Sequence, residues 1–356
     1  MKNIDFLQVL KENQKLVWPI IDQNISDSMV FPGFCCLNPK YKTLIDFHHQ
    51  IVADYPCRMG KYLRPTLLLL TAQAMGASLK DSLTSAAAMQ ISEDWILNHD
   101  DIEDDSPTRR GQPTLHRIYG HQLALNAGDA LHLVMWKTLF ANFKKLGQTK
   151  SLRILEEFYT MLNRTVLGQE IELNWARQQK FDLTDEDNFL VLESKTGYYT
   201  IAGPMRLGAI IANASDKQLN DIYQFGVLLG RSFQIIDDLL DLTSNFAGQK
   251  TSKGNDIYES KKTIMVLHLL REASPKDKAL VKSILLKSAT QKTASEVNTV
   301  IKLMEKYGSL DYGRQLATAF AKESKKIFQQ KLTFIKKQPF RNQIEAGIDF
   351  IVNRDH

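Results

Sequence analysis

Cysteine is scarce in this chain of 356 residues: only Cys35, Cys36 and Cys57 occur. Three is too few and too odd a number for a disulfide framework, and the adjacent Cys35 and Cys36 lack metal-ligand spacing. The expected reading is three reduced thiols in a cytoplasmic protein. Long apolar runs are missing as well. Leu67–Leu70 is among the longest and falls far short of a membrane span. The Met1–Gln14 stretch mixes Lys and Asp with apolar residues, so it does not read as a signal peptide. Proline is sparse, with ten in all and none between Pro113 and Pro204. No Asn-Gly turn flanked by alternating residues signals a hairpin.

What is present is helical. The proline-free stretch is rich in Leu, Ala, Gln, Glu and Lys, all good helix formers. Apolar residues recur at three and four, as in Leu152, Leu155, Tyr159, Leu162, Val166 and again in Leu219, Ile222, Phe225, Leu229, Phe233, Ile236. Breaks such as Phe31-Pro32-Gly33 and Asn245–Gly254 are too short to be domain linkers. The expectation is an all-α fold, one domain over residues 1–356. The formal net charge is +5. From Pro275 to Arg341 there are fifteen basic residues against five acidic. These lysines are scattered among helix-spaced apolar residues without stacking aromatics, so a solvated helical face is expected and no nucleic-acid partner.

An acidic pattern occurs twice. Asp100-Asp101-Ile102-Glu103-Asp104 follows an apolar run through Trp95, and Asp237-Asp238-Leu239-Leu240-Asp241 follows Phe233-Gln234-Ile235-Ile236. Both read Asp-Asp-x-x-Asp. On a helix the first and fifth residues point about 40° apart, with the second beside them. Hard oxygen donors in such a claw suit Mg²⁺, which binds through a few carboxylates and substrate phosphates. One such cluster is ordinarily an exposed acidic helix face; two copies at the same spacing weaken that reading. Cations suited to a diphosphate accompany them: Lys61 and Arg64 in Gly60–Pro65, Arg109-Arg110-Gly111, Lys195-Thr196-Gly197, Lys253 and Lys261.

In these stretches, together with Gly168–Glu172 and Gly254–Thr263, the chain resembles the trans-isoprenyl diphosphate synthases, the farnesyl and geranylgeranyl diphosphate synthase family. The resemblance spans roughly residues 58 to 265. It implies a homodimeric helical bundle with a deep central cavity, in which two aspartate-rich helices face each other and hold about three Mg²⁺ on an allylic diphosphate. The implied reaction is head-to-tail condensation: the allylic carbon–oxygen bond ionises, the cation alkylates isopentenyl diphosphate, and a proton is lost to the departing diphosphate.

On the family's pattern Asp100, Asp101, Asp104, Asp237, Asp238 and Asp241 bind metal. Arg109, Lys195 and Lys261 hold the allylic diphosphate, and Lys61, Arg64 and Arg110 hold isopentenyl diphosphate. Thr196 and Gln234 offer oxygen dipoles near the cation, and Glu172 sits where the family has a carboxylate near the metals. Seven residues before Asp100 the family usually has His or Gln, where this chain has Glu93. Either Glu93 pairs with Arg64 or Lys61, or this subsite differs. By resemblance, Trp95 and Ile96 mark the floor that limits chain growth, and a product of roughly 15 to 20 carbons is expected, 20 favoured. Leu131 and Met135 could also line the floor, though core packing is their ordinary role. Arg354 could close over the isopentenyl site. Two other readings share part of the pattern: a class I terpene cyclase, which needs no isopentenyl site, and a non-catalytic subunit of a heteromeric prenyltransferase.

Overall fold

The computed structural model describes residues 4–243 and 253–352. Most of the Asn245–Gly254 break and Arg354 lie outside the described residues. The all-α expectation holds. Among the described residues the strands are a two-residue pair, Thr108–Arg109 against Gln112–Pro113. No described helix is long and apolar enough to cross a membrane. The sequence reading expected one domain. Contacts group the chain into two compact units, each assembled from three separated segments.

The first unit comprises residues 1–157, 204–215 and 335–346. Its central helix, Leu79–Glu103, begins at Ser78, whose hydroxyl accepts from the Asp81 N–H at 3.2 Å. That cap satisfies one of the amide donors orphaned at a helix start. Ala86, Ala87 and Ala88 are fully buried, and these small residues let neighbours approach. The helix packs most extensively on His121–Phe140 and next on Leu63–Met75. In the latter Leu67–Leu70 are all buried, each contributing about 1.5–3 kcal/mol by leaving water. Gly76, at φ +103°, ends that helix in a left-handed cap.

The second unit comprises residues 158–203, 216–334 and 347–356. Its main helix, Asp216–Thr243, packs on Ser309–Gln330 and on the π-helical segment Leu192–Ala202. Two glycines make the second contact possible. A Cβ on Gly230 would lie 2.2 Å from the Gly197 Cα, and one on Gly226 would lie 2.5 Å from the Ala202 Cα. The backbones therefore cross at a separation that a larger side chain forbids. Ile235, Leu239 and Leu242 on this helix join Ile264, Met265, Leu269, Val300 and Met304 in one apolar core.

Candidate active site

In the first unit, the acidic triad occupies the C-terminal end of Leu79–Glu103, with Asp104 as its C-cap. Asp100 and Asp104 are partly exposed, whereas Asp101 is fully buried. The Asp101 carboxylate receives the Arg109 guanidinium in a fork, including Nε at 3.0 Å, and the Tyr55 hydroxyl at 2.6 Å. Burial and the neighbouring carboxylate push the Tyr55 hydroxyl well above its ordinary range, so it remains a donor. Both Asp101 oxygens are thus engaged by the cation expected to hold allylic diphosphate.

Glu93 pairs with arginine, which selects between the alternatives left open above. Arg64 Nη1 lies 3.1 Å from Glu93 Oε2, and Arg110 Nη2 lies 3.7 Å from Oε1. Arg110 also forks to Asp94 Oδ1 at 2.8 Å and to the Tyr55 carbonyl at 2.8 Å. Gly60 makes room for it, since a Cβ there would meet Arg110 Nη2 at 2.8 Å. Asp94, which sequence reasoning missed, is fully buried. Desolvation pushes its carboxyl up to about 6, with Arg110 opposing the shift. Lys61 is exposed at the same turn.

Trp95 lies buried with its ring stacked on His132, centroids 4.1 Å apart and planes 10° apart. The Trp136 indole N–H donates to His132 Nε2 at 2.8 Å. An indole only donates, so His132 accepts at Nε2 and is the neutral Nδ1–H tautomer. Burial lowers its pKa, in keeping with that state. Ile96 is partly buried, and Leu131 and Met135 are fully buried among the core residues.

One further group of ligand-type residues lies beside the triad. Asp105, His116 and His121 bring ligand atoms within 4.8 Å of one another. Arg117 already sits 2.8 Å from the Asp105 carboxylate, which thereby has its cation.

In the second unit, Asp237, Asp238 and Asp241 occupy the last turns of Asp216–Thr243. Gln234 Nε2 donates to Asp238 Oδ1 at 2.8 Å, and Thr196 Oγ1 donates to Gln234 Oε1 at 2.9 Å. This chain orients the amide with its nitrogen toward the acidic end. Lys195 Nζ donates to Glu172 Oε2 at 2.9 Å. Both Lys195 and Thr196 ride on the π-helical segment. On the same segment Glu193 accepts from the Tyr223 hydroxyl and pairs with Arg231 at 3.1 Å and Arg164 at 3.4 Å. Gly168 permits the close packing here, as a Cβ would lie 2.9 Å from the Lys195 nitrogen. Asp241 Oδ2 accepts the Asp256 N–H at 3.1 Å and so anchors the segment leading to Lys261. Lys261 pairs with Glu259 and lies 3.9 Å from Asp256. Lys253 is exposed.

The residues suit a hard divalent cation. Each triad sits at a helix C-terminus, where the macrodipole is already negative, and neither helix has a basic residue in its last turn. Carboxylates gathered there are destabilised unless a cation joins them. The donors are all oxygen, as Mg²⁺ prefers.

Known proteins resemble this chain over most of its length. The polyprenyl synthetase family profile matches residues 47–304. A short chain isoprenyl diphosphate synthase from Methanothermobacter thermautotrophicus is 30% identical, over 83% of this chain and 87% of that protein. A geranylgeranyl diphosphate synthase from Sulfolobus acidocaldarius is 32% identical, over 74% and 78%. The crystal structure of geranylgeranyl pyrophosphate synthetase from Pyrococcus horikoshii superposes with a TM-score of 0.81 at 28% identity, covering 98% of each chain. The fold is that of an all-α isoprenoid synthase. The chain belongs to the polyprenyl synthetase family.

Proposed function

We propose that the protein is a short-chain trans-prenyltransferase that condenses isopentenyl diphosphate head-to-tail with an allylic diphosphate, giving a product of roughly 15 to 20 carbons. The observation that carries this is the pair of Asp-Asp-x-x-Asp helix ends, each accompanied by lysine or arginine, in a chain of this family. The intact second triad and the Lys61, Arg64 and Arg110 set favour the synthase over the cyclase and the non-catalytic subunit.

Asp100, Asp104, Asp237, Asp238 and Asp241 would hold Mg²⁺, with Asp101 held between Arg109 and Tyr55. When bound, Mg²⁺ neutralises the charge that builds on a leaving diphosphate. Arg109 in the first unit and Lys195 and Lys261 in the second are the cations assigned to allylic diphosphate, to stabilise the charge that builds as its carbon–oxygen bond breaks. Arg64 and Arg110, oriented by Glu93 and Asp94, and Lys61 hold isopentenyl diphosphate with its double bond toward the allylic carbon. The Thr196 hydroxyl and the Gln234 carbonyl offer the partial negative charge that favours a carbocation nearby. The departing diphosphate takes the proton, so no side chain is required as base. Trp95 closes the space available to the growing chain. The protein works as a homodimer in the cytoplasm, and the exposed apolar residues Leu125, Leu133 and Phe140 on His121–Phe140 suit a partner copy.

The test is Asp100→Ala and Asp237→Ala. Each should lower kcat by orders of magnitude while circular dichroism and melting remain those of a folded protein. Near-normal turnover in either variant would remove that triad from the mechanism.

A further inference from the structure

Two buried lysines have no part in the chemistry above. Lys262 and Lys292 are 5% and 6% exposed. Burial depresses both ammonium groups to about 8, and each faces the other's charge or that of Glu259 and Glu296. A buried ammonium is costly unless it meets a specific need. Both ammonium groups converge on one turn. Lys292 Nζ donates to the Tyr258 carbonyl at 2.6 Å and to Ser260 Oγ at 2.6 Å. Lys262 Nζ donates to the Ser260 carbonyl at 2.8 Å and lies 4.9 Å over the Phe181 ring. Ser260 Oγ in turn donates to the Leu285 carbonyl at 2.7 Å.

That turn is strained. Ser260 has φ +60°, a left-handed conformation that glycine adopts freely and serine does not. Next along the chain is Lys261, whose N–H donates to the Asp256 carbonyl at 2.9 Å. The direction of the Lys261 side chain therefore depends on Ser260 keeping its left-handed turn.

We propose that Lys292, assisted by Lys262, is a positioning residue for Lys261: its ammonium pins the Tyr258–Ser260 turn and so sets the aim of the lysine assigned to the allylic diphosphate. This rests on the function proposed above. Lys292 itself touches neither substrate nor metal in this account. Its ammonium bridges the Tyr258 carbonyl and the Ser260 hydroxyl, and a neutral side chain of the same length leaves both without that donor.

The test compares wild type, Lys292→Met, Ser260→Gly and the double variant by steady-state kinetics with Mg²⁺, dimethylallyl diphosphate and isopentenyl diphosphate. Lys292→Met should lower kcat/KM for the allylic substrate about tenfold or more and leave KM for isopentenyl diphosphate unchanged. Adding Ser260→Gly should restore most of the allylic kcat/KM, because glycine holds the turn without the ammonium. Hydrogen exchange at the Ser260–Lys262 amides should rise in Lys292→Met and fall back in the double variant. If Lys292→Met does not fold, the double variant carries the comparison against Ser260→Gly alone, and equal allylic kcat/KM in the two is then the expected result. Equal loss toward both substrates, or a loss that Ser260→Gly does not rescue, would overturn the positioning role. Wild-type protein that makes no prenyl product would instead overturn the function on which it rests, and Lys261→Ala without allylic loss would remove Lys261 from it.

Discussion

At the scale of the residue, charge and ring contacts decide what the site accepts. Glu93 is one of two carboxylates set against Arg64 and Arg110, so the subsite assigned to isopentenyl diphosphate carries less positive charge than its cations alone would give. Glu93→Gln keeps the shape and removes the repulsion. It should lower KM for isopentenyl diphosphate several-fold with kcat little changed, read from initial rates. A higher KM would mean that Glu93 acts chiefly by holding Arg64 in place. Trp95 is a large ring immobilised by its stack on neutral His132, which Trp136 holds in turn. Trp95→Ala should lengthen the product by at least one five-carbon unit, and His132→Ala should broaden the length distribution in the same direction, both read by chromatography after dephosphorylation. Unchanged lengths would show that the floor lies elsewhere.

The residue scale is also where sequence reading reached least evenly. The aspartates, Arg109, Lys195 and Lys261 stand at motif spacings and were legible. Tyr55, Asp94, Glu193, His132 and Lys292 were not, because each acts through a contact distant in sequence: Tyr55 reaches Asp101 across 46 positions, and Lys292 reaches Ser260 across 32. No periodicity encodes such contacts. The doubled carboxylate Glu93-Asp94 near a pair of arginines was the available signal for Asp94.

Among the elements, the two acidic helices were legible from their apolar periods and from the shared motif at their ends. The π-helical segment Leu192–Ala202 was not, since its wider turn is selected by packing rather than by local propensity. Gly226 and Gly230, four apart inside a helix, were the readable trace of that packing. Gly230→Ala should therefore be costly in two ways. The added methyl meets the Gly197 backbone, which has no side chain to move aside. A loss of about 1–3 kcal/mol in unfolding free energy is expected by denaturant titration. Turnover should fall too, because the segment pushed away carries Lys195 and Thr196. Unaltered stability would show that the crossing is looser than described. On the last turns of the same helix, Ile235, Leu239 and Leu242 are buried in the core, and Asp237, Asp238 and Asp241 are interleaved with them.

For the whole molecule, the helical class follows from the lack of hairpin signals and the long proline-free stretch, whereas the grouping of contacts into two units does not. Residues 204–215 and 335–346 join the first unit from far along the chain, and composition carries no mark of such returns. The proposed homodimer belongs to this scale. Leu133 is 70% exposed and Phe140 58%, on the same helix as Leu125. Scattered apolar residues are normal on a surface, but a seam along one helix marks an interaction face. Leu133→Asp should convert the dimer to monomer in light scattering behind size exclusion, with loss of turnover. A dimer that persists would place the interface on another face.

The most direct test of the central claim is to incubate the purified chain with Mg²⁺, labelled isopentenyl diphosphate and dimethylallyl, geranyl or farnesyl diphosphate in turn, then dephosphorylate and size the products. The account predicts linear alcohols that form only when both substrates are present, in a ladder ending at roughly 15 to 20 carbons, and no product in the presence of a chelator. Cyclic hydrocarbon formed from the allylic diphosphate alone, or no product from a folded chain, would contradict it.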